Sequence, residues 1–297
     1  MRIILAHAMG LCFGVRAALN QTEKITQPTD VAILGELVHN PVVIDKLRRR
    51  GFREGSHEIS TPTVLVTAHG ISDRAHHRLI SLGKSIIDTT CPLVRRVHDA
   101  AQRLQRTGHF IVVIGNPAHV EVRGIVEDLG TPFQTISPQP PEICAQYAIV
   151  QTPHDVQNYL HPQIGVVMQT TIAQCEAAHI IERIRQVNVN AQIHVEDTIC
   201  QPTKDRQHAM DELVGLVQAV VVIGGMNSNN TRKLVARATE RGITAFHVQG
   251  PGELRGEWFD HIHTVGLTAG TSTLPETIQA VHAELLRIAA GRLRPTG

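Results

Sequence analysis

Phe110-Ile111-Val112-Val113-Ile114-Gly115-Asn116-Pro117-Ala118-His119 decides the fold class. An aromatic residue and four β-branched residues stand in a row with no polar alternation, as in a strand buried on both faces, and a small, polar turn follows at once. The same grammar recurs along the chain. Val64-Leu65-Val66-Thr67 runs into Ala68-His69-Gly70, and Val166-Val167-Met168 runs into Gln169-Thr170-Thr171. Ala219-Val220-Val221-Val222-Ile223 leads to the loop 225–231, and Thr264-Val265-Gly266-Leu267 leads to Ala269-Gly270-Thr271-Ser272-Thr273. Between them, residues 42–47, 93–104, 172–187 and 277–286 space apolar side chains as core-facing helices do. Strand, polar turn and helix in alternation give an α/β chain with mostly parallel sheets.

Each third of the chain carries such units and one cysteine placed immediately before a helix. A rough threefold division is therefore expected. Residues 1–92 carry Cys12 and Cys91; 93–195 carry His119, Glu121 and Thr170; 196–290 carry Cys200 and the Ser/Asn loop; 291–297 form a tail. The Pro-rich stretch 137–141 reads as a stiff loop within the second.

The chain has 297 residues, 42% of them hydrophobic, so there is material for a real core and disorder is excluded. Twenty-eight Lys and Arg against 27 Asp and Glu leave a net charge of +1, too little to attract nucleic acid or an anionic membrane as a whole. Only 3% of residues are Phe, Trp or Tyr, while His numbers 18, the reverse of a base-stacking surface. No apolar stretch reaches the ~18 residues of a membrane span, and residues 1–7 read as a strand, not a signal peptide. The expectation is a cytoplasmic protein that binds neither membrane nor nucleic acid.

With no global field, an anion must be caught locally. In parallel sheets ligands bind beyond the carboxyl ends of the strands, where helix N-termini present backbone N–H groups. Five small polar loops at such positions point to one polar ligand, although Ser, Thr, Asn and Gly also serve there as ordinary caps and turns. His39, His69 and His119 each end a strand-like segment beside these loops, where they suit phosphate oxygens. Glu121, two residues after His119, is a proton source if it turns inward and an ordinary exposed helix-start acid if it does not.

The five cysteines include no C-x-x-C pair, which argues against a disulfide framework or a zinc ribbon. Cys91 precedes Pro92 and so caps a helix; Cys12 lies between Gly10 and Gly14; Cys200 comes two residues before Pro202 at another helix start. Helix dipoles favour the thiolate at such places. Cys144, after the Pro-rich stretch, and Cys175, inside the helical stretch 172–187, read as structural. Three distant thiolates suit a 4Fe-4S cluster with one open iron, and spacing alone does not separate iron from catalytic zinc.

These motifs, taken in order, resemble the LytB/IspH family of 4-hydroxy-3-methylbut-2-enyl diphosphate reductases. The resemblance runs through Gly10-Leu11-Cys12-Phe13-Gly14-Val15, Val38-His39-Asn40-Pro41, Ala68-His69-Gly70 and Asp88-Thr89-Thr90-Cys91-Pro92-Leu93-Val94. It continues in Gln169-Thr170-Thr171, Cys200 with Arg206-Gln207, Asn227-Ser228-Asn229-Asn230-Thr231 and Ala269-Gly270-Thr271-Ser272. It implies three α/β domains around one 4Fe-4S cluster held by Cys12, Cys91 and Cys200, with one open iron. It further implies that His39, His69, His119, Thr170, Ser228, Asn229, Asn230 and Ser272 bind an allylic diphosphate. Glu121 then falls at the family's proton donor, with Thr170 beside the substrate hydroxyl and His119 completing the catalytic set. The implied reaction is reductive dehydroxylation of 4-hydroxy-3-methylbut-2-enyl diphosphate to isopentenyl and dimethylallyl diphosphate, the last step of the non-mevalonate isoprenoid route, with ferredoxin or flavodoxin as electron donor. No G-x-G-x-x-G after a strand and no full G-x-x-x-x-G-K-[ST] loop indicates direct NADPH or ATP use, since Gly83-Lys84-Ser85 lacks the first glycine of that motif. Departures from the family pattern at Leu11, Phe13, Val120 and Asn229 leave a divergent paralogue or an iron-sulfur redox sensor of the same fold as the alternative.

Overall fold

The computed structural model describes residues 1–55, 60–132 and 146–291. In chain order the elements are β1 (Arg2–Leu5), α1 (Phe13–Glu23), β2 (Val31–Leu34), α2 (Pro41–Arg49), β3 (Arg53–Gly55), β4 (Thr63–Val66), α3 (Asp73–Ser81), β5 (Ser85–Asp88) and α4 (Pro92–Arg106). There follow β6 (Phe110–Ile114), α5 (Val120–Glu127), β7 (Tyr147–Val150), β8 (Gln163–Met168), α6 (Gln174–Val187), β9 (Gln192–Val195) and α7 (Gln201–Val214). The chain closes with β10 (Ala219–Ile223), α8 (Asn229–Glu240), β11 (Thr244–Val248), β12 (Thr264–Ala269) and α9 (Pro275–Gly291). Among the described residues no helix is long and apolar enough to cross a membrane.

The strands form three four-stranded sheets, ordered β3-β2-β4-β5, β7-β6-β8-β9 and β11-β10-β12-β1. All pairings between them are parallel. One topology is thus used three times. In the third sheet the fourth strand comes from the other end of the chain, because Arg2–Leu5 pairs with Thr264–Leu267. This corrects the expected boundaries: residues 2–5 belong with the sheet of the last third, not with 1–92. By contact the chain divides into two units, one of residues 1–16, 38–46 and 201–297 and the other of 17–37 and 47–200.

The sheets are parallel because their inner strands are apolar on both faces, and each face needs a helical cover. In the sheet around β6, Val112, Ile114, Val166 and Met168 meet Ala177, Ile180 and Ile184 of α6. The opposite face sets Ile111, Val113 and Val167 against Val97, Ala101 and Leu104 of α4 and Val122 and Ile125 of α5. In the sheet around β10, Val220 and Val222 meet Met210 and Leu213 of α7 and Leu234 of α8. Its other face packs Val221, Val265 and Leu267 on Val281 and Leu285 of α9. Each such side chain contributes about 1.5–3 kcal/mol of burial. Gly266 is required in β12, where a Cβ would stand 2.8 Å from the Leu213 side chain.

Cys175 and the segment before His39 depart from the expectations. Residues 37–39 form no strand; Leu37 and Val38 are buried in the loop between β2 and α2. The expected helix 172–187 starts at Gln174, so Cys175 lies in its first turn and is exposed, not a packed small apolar residue. Cys144 and the Pro-rich stretch 137–141 lie outside the described residues.

Ile184, fully buried between α6 and its sheet, gives a direct test of this core. Ile184→Ala is expected to lower unfolding stability by about 2–5 kcal/mol in urea titrations, through lost burial and the cavity left behind.

Candidate functional site

Every polar loop lies at the carboxyl end of a parallel strand, and each sheet supplies the same set of three. The loop after the first strand of each repeat ends in His119 or Ser228 directly before a helix, or in His39 with Asn40 before α2. The loop after the third strand holds His69, Thr170 or Ser272. The segment after the fourth strand ends in Cys91, Cys200 or Cys12, and α4, α7 or α1 starts at the next residue.

One backbone bond fixes each cysteine. Cys91 N–H donates to Ala68 O at 3.1 Å, Cys200 N–H to Thr170 O at 3.1 Å and Cys12 N–H to Thr271 O at 3.0 Å. The acceptor in each case lies two residues beyond the neighbouring strand. Two residues before each cysteine a second bond holds the end of that strand: Thr89 N–H to Val66 O at 3.1 Å, Gly10 N–H to Ala269 O at 3.1 Å, and Thr198 Oγ1 to Met168 O at 2.6 Å. Gly10 has φ +74, and a Cβ there would stand 2.7 Å from Ile278. Buried Arg206 holds the same loop, donating to Gly10 O at 2.5 Å and to Pro202 O at 2.8 Å.

Cys12, Cys91 and Cys200 are half-buried and unbridged. None of α1, α4 and α7 has an acidic residue in its first turn. Three partly shielded thiols on helix starts are a donor set that fits a thiolate-ligated metal group; exposed Cys175 is not of this kind.

In the second unit, His119 caps α5, its Nδ1 accepting from Glu121 N–H at 3.2 Å, and its ring meets that of His69 edge-on at 5.5 Å. Glu121 turns inward and is 1% exposed, which selects the inward alternative for this residue. Its Oε1 accepts from Thr170 N–H at 2.7 Å and its Oε2 pairs with Thr170 Oγ1 at 2.9 Å. Burial lifts its pKa from the ordinary carboxylate value to about 7, against the opposing pull of the two Thr170 bonds. Gln169 braces the loop: its Oε1 accepts from Asn116 N–H at 3.0 Å, and Gly115 is needed because a Cβ would stand 2.9 Å from the Gln169 Cβ.

In the first unit, Asn40 ties two loops together. Its Nδ2 donates to Ser272 O at 2.6 Å, its Oδ1 accepts from Val42 N–H at 2.9 Å to cap α2, and Ser272 Oγ donates to His39 O at 3.2 Å. Ser228 caps α8 by accepting from Thr231 N–H at 3.3 Å, which places Asn229 and Asn230 in the first helical turn. Asn230 Oδ1 accepts from Thr271 N–H at 3.1 Å, while its buried Nδ2 has no hydrogen-bond partner among the described residues. A buried amide donor at a helix N-terminus that also lacks acidic residues suits an anion. Asn40, Arg206 and Gln169 are the positioning residues that pattern reading passed over; each stands beside a predicted site residue or in a quoted motif, with nothing local to reveal its long-range bond.

The sequence profile described as LytB protein matches residues 3–286. The chain is 35% identical over 297 residues to the 4-hydroxy-3-methylbut-2-enyl diphosphate reductase of Dehalococcoides mccartyi (strain CBDB1), covering 98% of this chain and 100% of that one. It is 32% identical to the enzyme of the same name from Aquifex aeolicus (strain VF5), covering 98% of each. A solved structure of (E)-4-hydroxy-3-methyl-but-2-enyl diphosphate reductase, described as the terminal enzyme of the non-mevalonate pathway, aligns with TM-score 0.67 at 31% identity over 97% of this chain and 100% of that one. The Plasmodium falciparum E-1-hydroxy-2-methyl-but-2-enyl-4-diphosphate reductase aligns with TM-score 0.84 over 99% and 89%, a likeness of fold at 24% identity. With its motifs in order and its length matched from end to end, the chain belongs to the LytB family.

Proposed function

We propose that the chain is a 4-hydroxy-3-methylbut-2-enyl diphosphate reductase, forming isopentenyl and dimethylallyl diphosphate. The observation that carries the reading, beyond membership of the family, is the buried Glu121–Thr170 pair, joined through the Thr170 carbonyl to Cys200. A proton source near neutrality is thereby tied to one of the proposed metal ligands. Overall, the allylic C–O bond breaks, a C–H bond forms, two electrons and two protons are consumed and water leaves.

Cys12, Cys91 and Cys200 are the proposed thiolate ligands of one 4Fe-4S cluster with one open iron. When bound, the cluster supplies one-electron redox capacity and a Lewis-acidic iron. His39, His69, His119, Ser228, Asn229, Asn230 and Ser272 hold the diphosphate by N–H and O–H donors, aided by the N-termini of α2 and α8. Anchoring the charged end in this way orients the hydroxyl end of the substrate.

Glu121 holds its proton on Oε2, because Oε1 is committed to accepting the Thr170 N–H. Thr170 Oγ1 donates to the ionised Oε2; with Oε2 protonated the bond reverses, Oε2–H donating to Thr170 Oγ1, and the Thr170 hydroxyl proton is free to go to the departing oxygen. A ferredoxin or flavodoxin is the proposed electron donor, and the reducing cytoplasm, where thiolates persist, is the proposed location.

The deciding experiment is anaerobic turnover of 4-hydroxy-3-methylbut-2-enyl diphosphate with dithionite-reduced viologen; release of the two C5 diphosphates is expected, and no product from iron-loaded protein sinks the reading. Cys12→Ser, Cys91→Ser and Cys200→Ser should each lose iron and sulfide on assay, while Cys175→Ser keeps both. Turnover should fall as pH rises through about 7, as Glu121 loses its proton, and Glu121→Gln should bind substrate but turn over at least about 100-fold more slowly. The same group sets a stability slope. Its folded pKa of about 7 exceeds the ordinary 4.5, so the stabilisation present below 4.5 is lost as pH rises towards 7. Urea titrations at pH 5 and pH 8 should show this loss in the wild type and a smaller one in Glu121→Gln.

A further inference from the structure

Within the unit of residues 17–37 and 47–200, α3 lies against the sheet of β4 and β5, and α5 against the sheet around β6. Two carboxylates join these helices. α5 ends at Glu127, Asp128 follows it, and both turn onto the N-terminus of α3. Asp128 Oδ2 accepts from Asp73 N–H at 2.8 Å and its Oδ1 from Arg74 N–H at 3.1 Å. Glu127 Oε2 accepts from Ser72 Oγ at 2.6 Å, and its Oε1 faces Arg78 at 3.7 Å. From α4, Gln102 Nε2 donates to Asp73 Oδ2 at 2.9 Å and to Asp128 Oδ2 at 3.4 Å. A helix N-terminus attracts an anion, and here another helix supplies it. Ser72 already caps α3 by accepting from Ala75 N–H at 2.9 Å, so Asp128 does more than terminate the helix: it fixes where α3 starts relative to α5. Backbones also come close between them, since a Cβ on Gly124 of α5 would stand 3.7 Å from the Ile71 carbonyl carbon and 3.4 Å from His98 Cε1 of α4. What these contacts join are two arms of the candidate site. His69 comes three residues before Ser72, His119 caps the other end of α5, and their rings meet edge-on at 5.5 Å. A single ring contact of this kind is weak, so the spacing of the two rings follows from how α3 and α5 are held.

We propose that Glu127 and Asp128 are positioning residues for the reaction: by gripping the N-terminus of α3 they set His69 against His119, and with that spacing the hold on the diphosphate. The inference rests on the proposed role of the two histidines as diphosphate donors. Both carboxylates lie at the far end of α5 from His119 and act through the residues 69–72 on one side and the length of α5 on the other. Such a role bears on binding of the charged end of the substrate more than on the bond-breaking step, so it shows in KM before kcat.

The test uses iron-loaded protein, with inorganic diphosphate as the calorimetric probe and viologen-driven turnover as the second readout. Asp128→Ala should weaken diphosphate binding about tenfold and raise the substrate KM by a similar factor, with a smaller change in kcat and iron content unchanged. Asp128→Asn, which keeps one acceptor oxygen for the α3 N–H groups, should recover part of the loss. In a His69→Ala background Asp128→Ala should add little further, because the two changes act through one group. Glu127→Ala, at an exposed position, repeats the test if Asp128→Ala fails to hold iron. Diphosphate affinity and KM unchanged in Asp128→Ala and Glu127→Ala overturn the proposal, as does a loss that is undiminished in the His69→Ala background. Wild-type protein that binds diphosphate but makes no product with viologen overturns the reductase reading instead, and the positioning role is then judged on diphosphate binding alone.

Discussion

A thiol proposed as a metal ligand has to be delivered to a fixed point, and for the three proposed here delivery falls to a single backbone bond used three times. Each cysteine N–H reaches the carbonyl of a residue just beyond the neighbouring parallel strand: Ala68, Thr170 or Thr271. Those acceptors belong to the loops that carry His69, Thr170 itself and Ser272. Each thiol and its neighbouring polar loop are therefore set by one contact, and the contact is set by sheet register. A site mounted in this way inherits the rigidity of the sheets, which loops alone do not provide. The fully buried inner strands, with helices on both faces, hold that register against slippage.

Among the described residues Glu121 is the one buried acid. Other carboxylates lie nearer water, some of them facing arginines, as Glu196 faces Arg103 and Asp211 faces Arg237. Glu121 is buried with only Thr170 for company, and its raised pKa follows from that solitude. A cation in its place beside the carboxylate would have stabilised the fold and abolished the acid. The buried Asn230 amide shows the same tension between stability and availability, since its Nδ2 stays unsatisfied among the described residues.

The inner strands and the loops behind them were legible in the sequence because both depend on local composition. Runs such as 219–223 admit no reading but a buried strand, and β10 has those bounds. Edge strands were harder: β9 alternates Gln192, Ile193, His194 and Val195 over four residues and offers little pattern to detect. The three cysteines and Glu121 could be selected by position, yet burial of Glu121 depends on Thr170, far along the chain, and no local signal carries it. His39 was placed correctly beside a helix start but on a strand that does not form, since Leu37 and Val38 are buried as loop residues. Asn40 and Arg206 act through bonds to Ser272 and Gly10, partners that only the folded topology brings within reach.

That topology carries a cost in time. In two of the sheets, the strand leading to a cysteine emerges from the ribosome directly after the strand it pairs with. In the third, Arg2–Leu5 is made long before its partner, Thr264–Ala269. A contact of such span is slow to close and leaves an unpaired strand exposed meanwhile. Cys91 and Cys200 can be seated as the chain grows, but Cys12 is seated only once residues 264–271 have been made, so any group held by all three proposed ligands would be loaded after that late pairing.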